Sequence, residues 1–448
     1  MPFLSRRWVG GNVGRICLPQ TVNEDNCKQT MAHPDISGRR HSVMANLQKR
    51  IVRTYCHYSI WVFSAVLWLG ITTENVWSAR YAITDLGTLG GSSSFALGLN
   101  AAGTVVGDSL PAGNAPEEAF RYRDGIMTGL GTLPRGAQSR AYGVNDEDAI
   151  VGHAYFPDLE GFVYKAFLLR AGVMTNLGTL GGPSSSAYAL NNSGWIVGSS
   201  QLELGETRAF LFRDGVMTNL GTLGGDFSSA YSINAAGIVV GESRTNNDVN
   251  IMRAFRYDGN MLDLGTLGGA RSAAYGINAE NVIVGGASVV GGQLHAFRYD
   301  GIMHDLGTLG GSGSVAIAIN AAGVIVGNST IAGSPALHAF VHDGTMRDLN
   351  NLIPAGGGWV LTTATAINDQ GQIVGRGEHN GQLRGFLLTP SLTVQYSVRA
   401  DGAVEITSDG FLYEARALNG PFTGLGVKTL TIEPGAVNGD RFYQAREK

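Results

Sequence analysis

Leu86-Gly87-Thr88-Leu89-Gly90-Gly91 is the phrase whose recurrence decides the fold. Its leading leucine returns at Leu130, Leu177, Leu220, Leu264, Leu306 and, in the degraded form LNNLIP, at Leu349. The spacings are 44, 47, 43, 44, 42 and 43 residues, a period that marks a repeat architecture. Three more landmarks keep the same phase. An aliphatic-Asn pair ends at Asn100, Asn145, Asn191, Asn234, Asn278, Asn320 and Asn368. An aliphatic-aliphatic-Gly run ends at Gly107, Gly152, Gly198, Gly241, Gly285, Gly327 and Gly375. A small residue then precedes Phe120, Phe167, Phe210, Phe255, Phe297, Phe340 and Phe386.

Each segment between landmarks reads as a strand of about five residues, with no apolar spacing of helical period. Apolar runs flank Asp124-Gly125, Asp214-Gly215, Asp258-Gly259, Asp300-Gly301 and Asp343-Gly344, and Ala171-Gly172 keeps the glycine. Such dipeptides tolerate the positive φ of a type I′ hairpin turn. Each landmark asparagine is expected to form an Asx-turn with its own backbone two residues on. Four short antiparallel strands per period make a propeller blade. The expected fold is therefore all-β: a seven-bladed β-propeller of four-stranded repeats, about 44 residues each, over residues 80–390.

The phase of the repeat predicts how the ring closes. Residues 80–86 supply the second strand of a hairpin without its first, and residues 384–390 supply a first strand without its second. Pairing the two completes the last blade and removes the exposed edges that would otherwise template aggregation.

Composition agrees with this picture. Only 15% of the 448 residues are charged and 65 are glycine, which suits many tight turns and excludes a disordered chain. Residues 80–448 carry 23 Lys/Arg against 32 Asp/Glu and no basic run, so nucleic acid is not an expected partner. The three cysteines, Cys17, Cys27 and Cys56, all precede residue 60, so packing alone must hold the repeats together.

Residues 59–71 (SIWVFSAVLWLGI) form one apolar run, preceded by Lys49, Arg50 and Arg53 and followed by small residues up to Ala79. The run is short for a membrane span, and the order is that of a secretory signal peptide. Residues 44–79 are read as that signal, with cleavage after Ser78 or Ala79 and no membrane span afterwards. Residues 1–43 are read as a spurious extension from a misplaced start codon. Residues 391–448 leave the period; alternating residues and Asp-Gly and Asn-Gly turns predict a small β-sandwich-like module.

The landmarks resemble the HAF repeat family of extracellular bacterial proteins. The resemblance rests on LGTLGG, on AIN-x-x-G-x-IVG and on His-Ala-Phe, literal at His295-Ala296-Phe297 and His338-Ala339-Phe340, and it covers residues 80–390. The final unit, residues 348–375 followed by FLLTP, is similar to that family's last repeat. The likeness implies a protein that is secreted or held at the bacterial cell surface, and it implies no catalytic residues.

Candidate chemistry is sparse. LGTLGG lacks the Lys-Ser/Thr and the helix of a phosphate loop. The body contains no HExxH and no Gly-x-Ser-x-Gly, and its six histidines are not in ligand spacing. No metal or cofactor is expected. One row stands out: the residue before each small-Phe pair is Glu118, Lys165, Arg208, Arg253, His295, His338 and Arg384. Symmetry places these in a mostly cationic ring, a candidate binding face for acidic polysaccharide. The alternative is cross-strand pairing with Asp85, Asp263, Asp305 and Asp348. The sequence thus reads as an exported, non-enzymatic binding or surface-interaction scaffold whose partner is a polysaccharide or a cell-surface protein, met by the variable loops after each IVG. The rival is a polysaccharide hydrolase or lyase using Glu117, Glu118, Asp158, Glu160, Glu203 or Glu206 from irregular loops.

Overall fold

The computed structural model describes residues 15–17, 81–157, 163–246, 248 and 251–391, together with short strands between 394 and 446. The predicted signal segment, residues 44–79, lies outside the described residues. Among the described residues no helix is long and apolar enough to cross a membrane.

Residues 79–391 form one compact unit, a β-propeller of four-stranded antiparallel sheets. The first sheet runs outward through Gly90–Leu99, Val105–Pro111, Glu118–Arg123 and Ile126–Gly129. The same order recurs in the next five sets of four, whose inner strands are Gln138–Val144, Gly181–Leu190, Ser228–Ile233, Gly268–Ile277 and Gly310–Ile319; a single parallel pairing, Met252 with Arg271, links the fourth set to the fifth. The closing sheet takes Trp359–Ile367, Ile373–His379 and Gln382–Pro390 from the carboxyl end, and its outer strand, Tyr81–Asp85, from the amino end. Tyr81 pairs with Pro390 and Asp85 with Phe386.

The core lies between successive sheets. Phe120, Phe167, Phe210, Phe255, Phe297, Phe340 and Phe386 are fully buried, each worth roughly 1.5–3 kcal/mol over an exposed ring. Phe167 packs with Val106 and Ala119 of the preceding sheet, and Phe120 packs with Val374 and Leu387 of the closing one. The glycine of each IVG run leaves no room for a side chain, because an inner-strand carbonyl and then that ring fill the space. A Cβ on Gly107 would sit 1.8 Å from the Phe95 carbonyl oxygen and 3.0 Å from the Phe120 ring, and Gly152 repeats the arrangement against Arg140 and Phe167.

The repeat phrase is a turn pinned by its own side chains. Asp85 Oδ1 accepts from the Gly87 amide, and Thr88 Oγ1 donates to Gly91 O. Ser94, on the inner strand that follows, donates to Gly87 O and accepts from the Gly385 amide of the neighbouring sheet. Ser139, Ser185, Ser228, Ser272 and Ser314 make the same bridge to their own neighbours.

The hairpins differ from expectation in half the repeats. Asp124-Gly125, Ala171-Gly172 and Asp214-Gly215 have positive φ at both residues, in two-residue loops of the type I′ form. Beyond the third sheet the register moves by one: Tyr257 pairs with Met261, Tyr299 with Met303 and His342 with Met346. Those loops hold three residues, and only the glycine has positive φ.

The second unit gathers the residues outside 79–391. Val394–Val398, Val404–Ser408 and Thr429–Ile432 form one antiparallel sheet. Phe411–Ala415 pairs with Thr423–Gly424 and Phe442–Arg446, the last of which also pairs with Arg15–Cys17.

Candidate functional site

The two ends of the strands have different characters. One end carries the landmark asparagines and the outer hairpin turns. The other carries the loops after each IVG run and the LGTLGG turns.

At the first end the asparagines are structural: Asn145 and Asn191 make the expected Asx-turn bond two residues on, and all seven also reach further. Each Oδ1 accepts from the amide four residues on, at 2.9–3.1 Å. Each Nδ2 donates to the carbonyl of the next landmark asparagine, at 3.0–3.2 Å. The chain of bonds returns to its start, because Asn368 donates to Asn100.

At the second end the predicted cationic row occupies equivalent positions on the third strands, and every member but Lys165 has a polar partner among the described residues. Arg208 Nη1 donates to Asp226 O at 2.6 Å, Arg384 Nη1 donates to Ser92 O at 2.6 Å, and Arg253 donates to Ala270 O. Each acceptor belongs to the following sheet. His295 Nδ1 lies 2.9 Å from Asp305 and His338 Nδ1 lies 2.6 Å from Asp348, while Arg253 Nε stands 3.8 Å from Asp263. Glu118 accepts from the Gly131 amide, and Lys165 is half-buried. The row therefore ties strands and sheets together. Of the loop carboxylates, Glu117 binds Arg140, Glu203 is exposed, and Asp158 and Glu160 lie outside the described residues.

The symmetry breaks at a position that sequence reasoning passed over: the residue after each IVG glycine and its cross-strand partner on the inner strand. Here Asp108 and His153 stand on second strands, and Arg140 and Ser186 face them from the next inner strand. Arg140 Nε is 2.9 Å from Asp108 Oδ1 and its Nη2 is 3.0 Å from Glu117. Asp108 is only 1% exposed. Burial outweighs the attraction of Arg140 and pushes its carboxyl up to about 6. His153 Nδ1 meets Ser186 Oγ at 3.0 Å, and burial, aided by Arg140, brings its imidazole down to about 4. His153 is thus neutral near pH 7.

Four consecutive inner strands add a run of aromatic rings. Tyr142, Tyr188, Tyr231 and Tyr275 stand with successive centroids 5.2, 5.6 and 5.3 Å apart. Tyr142, Tyr188 and Tyr275 fall at the irregular step in inner-strand pairing, as does Tyr231. Tyr231 Oη donates to Glu242 Oε1 at 2.6 Å, and burial raises both the phenol and the carboxyl. Across the ring, the Arg376 guanidinium lies 5.6 Å from the Phe95 ring centroid. The signal was present in the sequence: a fixed repeat position reading Asp108, His153, Ser199, Glu242, Gly286, Asn328, Arg376 is not conserving a structural job. Among the described residues no group of three His, Cys, Asp or Glu is placed to hold a metal ion.

No protein-family model matches the chain, and no curated protein does. Solved structures do. The propeller domain of the trilobed protease from Pyrococcus furiosus is 11% identical, with 66% of this chain and 95% of that one covered at a TM-score of 0.43. A gluconolactonase from Xanthomonas campestris is 14% identical, covering 70% and 95% at 0.33. An acylaminoacyl peptidase from Pyrococcus horikoshii is 11% identical, covering 71% and 59% at 0.43. At these identities the likeness goes no further than the fold. It does correct one expectation: because similar solved chains include enzymes, the propeller architecture is no ground for reading this chain as non-enzymatic.

Proposed function

We propose that the chain is an exported seven-bladed propeller that binds an extracellular polymer, a polysaccharide, at the end formed by the loops after the IVG runs. The blade number is supported by the seven landmark asparagines, whose side chains pass from sheet to sheet and back to the first. Export is supported by the basic, apolar, small-residue order of residues 44–79. One observation carries the binding reading. Repeat positions that keep their identity hold the fold, whereas the inner pair of strands keeps buried ionisable groups that differ from sheet to sheet. Burying such groups is costly, and they concentrate where proteins act.

A second reading, cleavage of the same polymer, is favoured by Asp108, whose carboxyl stays protonated up to about pH 6 and which shares Arg140 with a second carboxylate, Glu117. One experiment addresses both. The purified protein is passed over immobilised polysaccharides, and retention and new reducing ends are read together. Retention is the expected result, and reducing ends would add the second reading. A folded protein that no polysaccharide retains would overturn the proposal.

A further inference from the structure

A cavity of about 270 Å³ opens between the second and third sheets, lined by Tyr164, Ser184, Ser186, Ser199, Gln201 and Thr207 among others. It lies toward the loop-bearing end, since Tyr164 and Thr207 begin or nearly begin their third strands and Gln201 nearly ends its second. The repeat explains part of the opening. Ser184 precedes the bridging serine Ser185; the matching residues before Ser228 and Ser272 are Phe227 and Arg271. Phe227 is large and carries the Arg244 guanidinium 5.5 Å from its ring centroid. Between the second and third sheets a hydroxymethyl group stands in that place.

The lining is rich in hydroxyls, and several are committed to the fold. Ser185 Oγ donates to Gly178 O and accepts from the Ala166 amide. Ser200 Oγ accepts from the Leu180 amide. Ser184 Oγ accepts from the Tyr164 amide, and Ser186 Oγ faces His153. Two acceptors differ. Gln201 Oε1 is buried without a hydrogen-bond partner, and so is Glu206 Oε2, one residue before Thr207 on the same loop. A buried acceptor lacking a donor lowers stability, and native proteins keep few of them. One wall is aromatic: the Tyr164 ring lies 4.6 Å from His153 and 5.6 Å from Tyr155 by centroid.

We infer that this groove is the subsite for a single neutral sugar unit of the polymer, with a hydroxyl or acetamide N–H group donated to Gln201 and its apolar face laid on Tyr164. The inference rests on the polysaccharide-binding reading above and names its chemistry. The size suits one ring-sized unit rather than a larger ligand. Tyr164 offers a broad apolar surface with a polar tip. The orphan Gln201 oxygen is an acceptor, so it selects a ligand that brings a donor. No arginine or lysine lines the cavity, and His153 beside it is neutral near pH 7. A sugar carboxylate would find no cation among the lining residues, so a neutral unit is favoured over a uronic acid at this position.

The test uses cellotetraose and chitotetraose as neutral probes and tetragalacturonate as the acidic one, titrated calorimetrically into the whole protein. One neutral probe is expected to bind and tetragalacturonate is not. Ser184→Phe, which copies the residue found in the next sheet, should weaken binding at least tenfold. Gln201→Leu supplies a readout that a purely structural residue would not give. Removing an unpartnered buried acceptor should raise the melting temperature while lowering affinity. Full affinity in a folded Ser184→Phe variant, or a Gln201→Leu variant that loses stability and keeps its affinity, would overturn the groove while leaving polymer retention standing. Preferential binding of tetragalacturonate would overturn the assignment of a neutral ligand. A wild-type protein that no polysaccharide retains and no probe binds would remove the binding reading and the groove with it.

Discussion

Asn368 Nδ2 donates to Asn100 O at 3.1 Å across 268 residues of chain, and Asn368 Oδ1 accepts from the Gln372 amide at 3.0 Å. One side chain therefore closes its own turn and joins the last inner strand to the first. Asn368→Ala leaves the half-buried Gln372 amide without its acceptor and takes from the Asn100 carbonyl one of its two donors, the Gly103 amide remaining, at a cost of about 1–3 kcal/mol. Asn234→Ala, which breaks the same pair of bonds between two middle sheets, should cost a similar amount. Urea unfolding of both variants measures this. A loss confined to one of them would show that the ring is not energetically uniform.

Gly107 and Gly125 should respond differently to alanine. Gly125 has φ +82° with open space around its missing Cβ, so Gly125→Ala carries only conformational strain of about 1 kcal/mol. Gly107 lacks positive φ, but its Cβ would meet a backbone oxygen at 1.8 Å. The sheet itself must move, and Gly107→Ala should cost about 3 kcal/mol or more. Thermal unfolding distinguishes the two, and equal losses would contradict the packing explanation.

Asp108 and His153 should pull stability in opposite directions over one pH window. The folded carboxyl of Asp108 sits at about 6 against an ordinary 3.8, so the folded state holds an extra proton between those values. Its contribution makes stability fall as pH rises from about 4 to 6. The folded imidazole of His153 sits at about 4 against 6.5, so the unfolded state holds the extra proton. Its contribution makes stability rise over nearly the same range. Each is worth about 3 kcal/mol at most. The wild type should show little net slope from these two groups, Asp108→Asn a rising one and His153→Gln a falling one. Parallel slopes in all three, measured by denaturant unfolding between pH 4 and 7, would remove the account.

The export proposal has a direct chemical readout. The mature protein is expected to begin at Ala79 or Arg80, after cleavage behind Ser78 or Ala79. Amino-terminal sequencing of protein from the culture medium or cell surface checks this. Peptides from residues 1–43 in the native protein would defeat the assignment of that stretch as spurious.

The features legible in the sequence were those that repeat. Phe120 and its six equivalents stand out as landmarks because all seven keep one phase, and the half-hairpin at residue 81 implied its partner near residue 386. What escaped were relationships between repeats. Asn100 reads as a local turn residue, since nothing nearby announces an acceptor 45 residues away. Gly107 closes an aliphatic run whose need for glycine shows only once the Phe95 carbonyl of the paired strand is placed against it. Arg208 and Arg384 form a visible row, but main-chain oxygens from the following sheet consume their donors. Chain distance hides such partners even when residue type does not. At the site, Asp108 and His153 occupy a position that changes from repeat to repeat, so no repeat pattern marks them, while Gln201 is informative only through a bond it does not make.

The pairing of Tyr81–Asp85 with Gln382–Pro390 also governs the order of assembly. The first propeller strand to be made is the last to be placed, since its partner does not exist until about 300 residues later. Closing so long a loop is entropically slow. Until then two adhesive edges coexist on one molecule, and each can capture the complementary edge of another. A circular permutant that moves residues 81–85 behind residue 390 would turn this long-range closure into a neighbouring hairpin. Such a chain should reach the same ring sooner and with fewer linked copies.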